Sequence, residues 1–324
     1  MSSSCFSDSF ELSAGSLSER EIIRRICSGL RPCVPPPPLG PGDDCSVSDT
    51  SMFGRRMLST SDAVILGRHF SPETSGFDAG RKLMNRNISD IASMGGTPVM
   101  AVSSAVISPE ISLAWLDDFC RGLSRAASEY GVIFSGGDVA RGGPRYFSMH
   151  LTLLGKAERP LLRTGAVPGD RLFVTGPLGR SFQSGRHLSF APRVADGLFL
   201  ASVPEVAACT DLSDGLAEDI FDILPAGASA SLAPGAVPLF DFPGNSLSNA
   251  LSDGEDYELL FALRAADSAS ARAFSSTFER KLGRPVFEIG RVIQTPEGAS
   301  RGIFLESGDG SLEAFRGRGY SHFA

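Results

Sequence analysis

Apolar residues first keep a helical rhythm at Ile22, Ile23, Ile26 and Leu30. Ser18 and Glu21 open that run at the spacing of a capping box, in which each side chain satisfies the other residue's backbone N–H. Prolines at 35–38 and 41 then force an extended loop as far as Gly42. Residues 57–61 read as a strand. Residues 78–94 read as a helix with Leu83, Met84, Ile88 and Ile91 inward, stopped by Gly95 and Gly96. A second long helix, 113–130, ends at Gly131 and feeds a strand at 132–135, a glycine turn at Gly136 and Gly137, and a strand at 147–154. Together these predict one α+β unit.

Past Gly155 the pattern restarts. It gives a turn at 165–169, a strand at 171–175, a helix after Gly215, a strand at 257–263 and β structure near 286–293 and 303–305. No repeat of 20 to 50 residues is evident. The predicted organisation is therefore a serine-rich disordered tail at 1–16, a domain at 17–155 and a second at 156–324, a division that a length of 324 residues also favours.

Composition removes whole classes of function. With 42% hydrophobic and 21% charged residues the chain is an ordinary globular protein. Thirty basic against 37 acidic residues leave a net charge of −7, so no nucleic-acid surface is expected. Cysteines at 5, 27, 33, 45, 120 and 209 form no metal-binding or disulfide pattern and read as reduced thiols. No apolar run reaches the roughly 18 residues that cross a bilayer, so no membrane partner is expected and the location is read as cytoplasmic.

The candidate chemistry lies in the aspartates. Asp43, Asp44, Asp62, Asp90, Asp138, Asp211 and Asp214 nearly all fall at element ends or beside glycines. Helix capping or Asx-turns explain any one of them equally well. Acids on so many separate elements instead fit a hard cation that needs several oxygen ligands, magnesium above all, and hence a phosphate substrate such as a nucleoside triphosphate. The P-loop is absent, because Ala157 follows Gly155-Lys156, and so is a protein-kinase catalytic loop.

At these residues the chain resembles the thiamine-monophosphate kinase family, within the aminoimidazole ribonucleotide synthetase superfamily. In the first half the likeness runs through Gly42-Asp43-Asp44, Ser59-Thr60-Ser61-Asp62 leading to Gly67-Arg68-His69-Phe70, Asn87-Ile88-Ser89-Asp90, and Gly136-Gly137-Asp138 with Arg141-Gly142. In the second half it continues with Leu162-Arg163-Thr164-Gly165, Asp211-Leu212-Ser213-Asp214-Gly215, Gly254-Glu255-Asp256-Tyr257-Glu258 and a Gly319-Tyr320-Ser321-His322-Phe323 end. The resemblance implies ATP-dependent phosphorylation of thiamine phosphate to thiamine diphosphate with several Mg²⁺ ions. Asp44, Thr60, Ser61, Asp62, Asp90, Asp138, Asp211 and Asp214 would be the metal-binding set. Gly137, Asp138, Arg163 and Ser213 would meet ATP, and His69, Glu255 and Tyr320 the thiamine phosphate. It further implies an α+β fold in two domains: an N-terminal mixed-sheet domain that binds ATP and magnesium and joins a homodimer barrel, and a C-terminal α/β domain flanking the active-site cleft.

A phosphate acceptor with a second pKa near 6 is already ionised at neutral pH, so no side chain is assigned as base or nucleophile. The obstacle is repulsion between two polyanions, which bound cations relieve. His150, inside an apolar strand, reads as a core histidine, and Trp115 as helix packing.

The match departs from the family in three places. Only six residues separate Gly179 from Arg186, where a helix-bearing segment is usual; Val139-Ala140 replaces a pair of threonines; and Asp253 replaces a glycine. Two other readings stay open: another ATP-using enzyme of the superfamily, of the selenophosphate synthetase or hydrogenase-maturation type, and a nucleotide-binding dimer without catalysis.

Overall fold

The computed structural model describes residues 4–31, 33–36, 39, 49–317 and 319. The chain divides into two compact units, one reaching to Ile91 and including Thr97–Glu158, the other made of Ala92–Gly96 and the chain from Arg159 onward.

The first unit contains α1 (Glu19–Gly29), β1 (Met57–Ile65), most of α2 (Gly76–Ser93), β2 (Thr97–Ile107), α3 (Leu113–Glu129), β3 (Ile133–Arg141) and β4 (Phe147–Lys156). Its four strands are ordered β1-β4-β2-β3, with β2 and β3 parallel and the other pairs antiparallel, a mixed sheet. Alternation along β4 explains how the sheet is covered. Phe147, Met149, Leu151 and Leu153 are buried, and Phe147 packs its ring against Trp115 and Phe119 of α3. His150, between them, points to the other face and is exposed, so it is not the core histidine expected from the apolar run. Trp115 is fully buried, as a packing residue should be.

Two expectations change here. The glycine pair at 136 and 137 does not turn the chain but lies within β3, whose pairing to β2 absorbs an irregularity between Ala101 and Val102 and continues to Arg141. Residues 4–16, the described part of the stretch expected as a disordered tail, are tethered. Cys5 is buried, Phe6 and Ser13 bridge to Ile111 and Ser112, and the Ala14 N–H donates to Ile111 O at 2.7 Å. A few apolar side chains with available backbone partners are enough to offset the ordering that the serine content seemed to forbid.

The second unit contains β5 (Arg171–Val174), α4 (Arg186–Ser189), α5 (Val194–Ala201), β6 (Val206–Asp211), α6 (Leu216–Ile223), β7 (Ala228–Leu232), α7 (Leu247–Ser252), β8 (Leu259–Leu263), α8 (Ser268–Leu282), β9 (Phe287–Gln294), β10 (Ile303–Glu306) and β11 (Leu312–Ala314). Its sheet runs β11-β10-β7-β9-β5-β8-β6. Helices cover both faces, as an α/β label implies, yet only the β10–β7 junction is parallel. The unbroken apolar β8 segment follows from this: Leu260 and Ala262 join the core under α6 and α7, while Leu259, Phe261 and Leu263 join the core under α5 and α8.

In the first unit, α2 and α3 approach until backbone meets backbone. A Cβ at Gly80 would collide with Phe119 O, and one at Gly122 with Phe77 O. Gly122→Ala is expected to cost about 1–3 kcal/mol by overpacking, against the roughly 1 kcal/mol an alanine normally adds to a helix. Urea unfolding followed by the fluorescence of Trp115 checks this, and a variant as stable as wild type would contradict the contact.

Candidate functional site

Two clusters, one in each unit, gather part of the predicted set. In the first, the register sets β1 residues Thr60 and Asp62 opposite Leu153 and Leu151, on the helix-covered face, and Ser61 opposite Thr152 on the other. Helix α2 answers with Lys82, Arg86 and Asp90, spaced i, i+4 and i+8 along one side. Thr60 Oγ1 donates to Asp90 Oδ2 at 2.5 Å. Asp62 Oδ1 accepts from Arg86 Nη2 at 3.1 Å, and its backbone N–H donates to Asn87 Oδ1 at 3.0 Å. Ser61 accepts from Thr152 Oγ1 at 3.2 Å.

His69 closes the turn after β1. Its Nδ1 accepts the Ile65 N–H at 3.0 Å, and its carbonyl accepts from Lys82 Nζ at 2.9 Å. Lys82 is fully buried and Arg86 nearly so. Neither was singled out from the sequence, although their four-residue spacing from Asp90 inside a helix with a buried apolar side was an available signal.

Gly137 and Asp138 lie elsewhere on this sheet. Asp138 is in register with Ser104 and so with His150 and Ala63, on the face opposite to Asp62, and β3 and β1 are opposite edges. Three strand spacings separate the edges, about 14 Å. One chain therefore does not bring Asp62 and Asp138 together. Beside Asp138 an apolar cavity of ≈ 60 Å³ opens between Ile23 and Ile26 of α1, Leu30 just after it, and Met149 of β4. A larger one of ≈ 460 Å³ adjoins Val139 and Arg141. Asp44 and Tyr320 lie outside the described residues.

In the second unit the motif loops after β6 and before β8 brace each other. Leu212 N–H donates to Glu258 O at 2.8 Å, Tyr257 N–H to Leu212 O at 2.8 Å, and Glu255 N–H to Ser213 O at 2.7 Å. Gly215 and Gly254 both have positive φ, 101° and 73°, and come close enough that a Cβ on Gly254 would stand 2.9 Å from Ser213 O. Glu255 and Tyr257 also take positive φ, 55° and 51°, a strained state for side-chain-bearing residues that the surrounding bonds must hold.

Asp219 on α6 accepts the backbone N–H groups of Asp214 and Gly215 at 3.0 and 3.1 Å. Burial, then the negative charges of Asp211 and Asp214, push its carboxyl up to about 8. Arg163 pairs with Asp222 at 2.9 Å. Asp219 and Asp222 are additions to the predicted set, and both follow the Asp211–Asp214 motif at helical spacing. A third addition is His187, whose Nδ1 lies 3.0 Å from Glu255 Oε2. Among the described residues no three His, Cys, Asp or Glu side chains form a closed metal cage.

The AIR synthase related protein N-terminal domain family matches residues 42–157. The chain is 35% identical to a thiamine-monophosphate kinase of Rhodopirellula baltica over 277 residues, 80% of this chain and 85% of the relative. It is 33% identical to that of Salmonella typhimurium over 314 residues, 88% and 92% of the two chains. The solved complex of AaThiL with AMPPCP and TMP superposes with a TM-score of 0.69 at 25% identity, covering 97% of this chain and 100% of that one.

Asp256 gives the second cluster a titration that can be measured. Its carboxylate accepts the Gly179 N–H at 3.0 Å, the Ser181 hydroxyl at 2.5 Å and the Arg186 guanidinium, yet burial outweighs these and pushes it up to about 6. The folded state thus holds a proton between pH 4 and 6 that the unfolded chain has lost, and this group's contribution to stability falls as pH rises through that window. Wild type should gain up to about 3 kcal/mol between pH 7 and pH 4 from this group, a gain that Asp256→Asn lacks. Urea unfolding of both proteins across that range, followed by circular dichroism, checks it; parallel pH profiles would contradict the titration.

Proposed function

The chain belongs to the thiamine-monophosphate kinase family, and on that premise we propose that it transfers the γ-phosphoryl group of ATP directly to thiamine phosphate, giving thiamine diphosphate and ADP. The observation that carries this reading is the pairing of Thr60 with Asp90 beside the Arg86-bound Asp62, a patch of oxygen donors built by β1 and α2 where the family's motifs fall. In the transfer, the bond from the γ-phosphorus to the β,γ-bridging oxygen breaks and ADP leaves with the electron pair. A terminal oxygen of thiamine phosphate, already ionised, forms the new bond in line with it, so no general base is needed.

The donor chemistry fits magnesium. The residues concerned offer oxygen only, and Asp219, raised by burial first and then by the charges of Asp211 and Asp214, stands among further carboxylates. Magnesium binds through one or two carboxylates and completes its shell with water and phosphate. Asp44, Thr60, Ser61, Asp62, Asp90, Asp138, Asp211 and Asp214 would hold the ions, which when bound neutralise phosphate charge and align the reactants. Gly137, Asp138, Arg163 and Ser213 would contact ATP; His69, Glu255 and Tyr320 would contact thiamine phosphate. Thr60 orients the Asp90 carboxylate, Arg86 and Asn87 fix β1 at Asp62, and the Ile65 N–H fixes the His69 ring with its proton on Nε2.

A homodimer belongs to the same proposal. Asp62 and Asp138 would share a metal set, yet they occupy opposite edges of one sheet, and β1 and β3 each pair on one side only among the described strands. Two such sheets joined edge to edge would close a barrel and set β1 of one copy beside β3 of the other. The domains are proposed as 17–155 for nucleotide, magnesium and dimer contacts and 156–324 for the rest, in a cytoplasmic protein. No helix among the described residues is long and apolar enough to cross a membrane.

ADP release with ATP and Mg²⁺ should require thiamine phosphate, with neither thiamine nor an acceptor-free mixture supporting it. Release with a different acceptor alone, or none despite ATP binding, would overturn the proposal. Asp90→Asn should lower kcat by a hundredfold or more with an unchanged unfolding midpoint; near-normal turnover would remove Asp90 from the metal set.

A further inference from the structure

The segment from Gly179 to Arg186, short in this chain, is firmly built. The Gly179 N–H donates to both Asp256 oxygens at 3.0 and 3.1 Å, the Arg180 N–H to Asp253 Oδ2 at 3.1 Å, and the His187 N–H to Ser181 O at 3.1 Å. Arg186 ties the segment down, donating to Pro177 O at 2.7 Å and to the Ser181 hydroxyl. Carried on this frame, the Phe182 ring stacks on the His187 ring with centroids 4.5 Å apart and planes 22° apart. His187 is buried and touches Glu255, while Phe182 stays 56% exposed. The phenyl ring is thus backed on one face by an imidazole that also touches a carboxylate, and much of the rest of it is open to water.

We propose that Phe182, backed by His187, is the platform on which the ring system of thiamine phosphate stacks, and that His187 positions the Glu255 carboxylate toward the cationic thiazolium; this rests on the kinase reading above. An electron-rich aromatic face next to an anion is the chemistry that selects a flat cation. The cations at hand do not compete: Arg186 is taken up by Asp256 and Ser181, and Arg180 Nη2 donates to Gly244 O at 3.3 Å. His187 accordingly acts through Glu255 and is a positioning residue, whereas Phe182 would touch the substrate and set its specificity.

Because Phe182 is exposed, its replacement leaves the core intact. Calorimetric titration of the full chain with thiamine and, separately, thiamine phosphate should show Phe182→Ala weakening both by about five- to tenfold. Phe182→Tyr and Phe182→Trp should restore both to within about twofold. In turnover, Phe182→Ala should raise KM for thiamine phosphate by a similar factor while KM for ATP stays as in wild type. Wild type that binds both ligands alongside a Phe182→Ala variant that binds them equally well would overturn this inference and spare the kinase reading. A loss confined to thiamine phosphate would also overturn it, by placing Phe182 at the phosphate end. Wild type that binds neither compound would overturn both.

Discussion

A carboxylate taken out of water must have its charge answered where it sits, and much of this fold is arranged around that requirement. Asp62 is answered by Arg86, Asp256 by Arg186, Glu258 by Arg193 and Asp196 by Arg284. Only three of the thirty basic residues are lysines. The planar guanidinium suits these four pairs, because it meets a carboxylate with two parallel donors and loses less freedom per bond than an ammonium group on a flexible stem. Arg193 shows the fork directly, with Nε 2.7 Å from Glu258 Oε2 and Nη2 on Oε1. Asp219 differs: it accepts two backbone N–H groups, pairs with no cation among the described residues, and its carboxyl is pushed up to about 8, mainly by burial.

These pairs also place the chemistry. Asp256 and Glu258 are buried and lie on either side of Tyr257 in a loop that carries the more accessible Glu255. Their arginines anchor the segments around 186 and 193 to that loop. The left-handed conformation of Glu255 and Tyr257 is therefore held in place by neighbouring ion pairs. In the first unit the pattern repeats: Arg86 and Asn87 fix β1 at Asp62, and the part-buried Thr60 and Asp90 meet beside it.

Much of the framework could be read from the residues. The capping box of Ser18 and Glu21 is present, and α2, α3 and β8 fall within a few residues of the runs that predict them, since long periodic or wholly apolar segments leave few alternatives. Where packing is supplied by small residues the pattern faded. β7 is Ala-Ser-Ala-Ser-Leu and β2 carries serines at 103 and 104, so neither shows the large alternating side chains by which a strand is recognised. The glycines of β3 looked like a turn because glycine leaves strands and turns equally open until a partner strand decides. In the site, the identities of the carboxylates were readable from their motifs, while their counter-ions were not, because Arg186 meets Asp256 across 70 positions of chain.

Strand parity decides what those motifs can do within a single copy. Side chains alternate faces every residue, so Thr60 and Asp62 look toward α2 whereas Ser61 looks away, and Asp138 shares the open side with Ser104 and His150. A shift of one residue in the β2–β3 register would turn Asp138 to the helix face but leave it on the far edge, so no local adjustment joins it to Asp62. Pairing of β1 with β3 of a second copy would remove the separation of edges and leave the difference of faces. The irregularity between Ala101 and Val102 sets the β3 register and hence the face to which Asp138 turns.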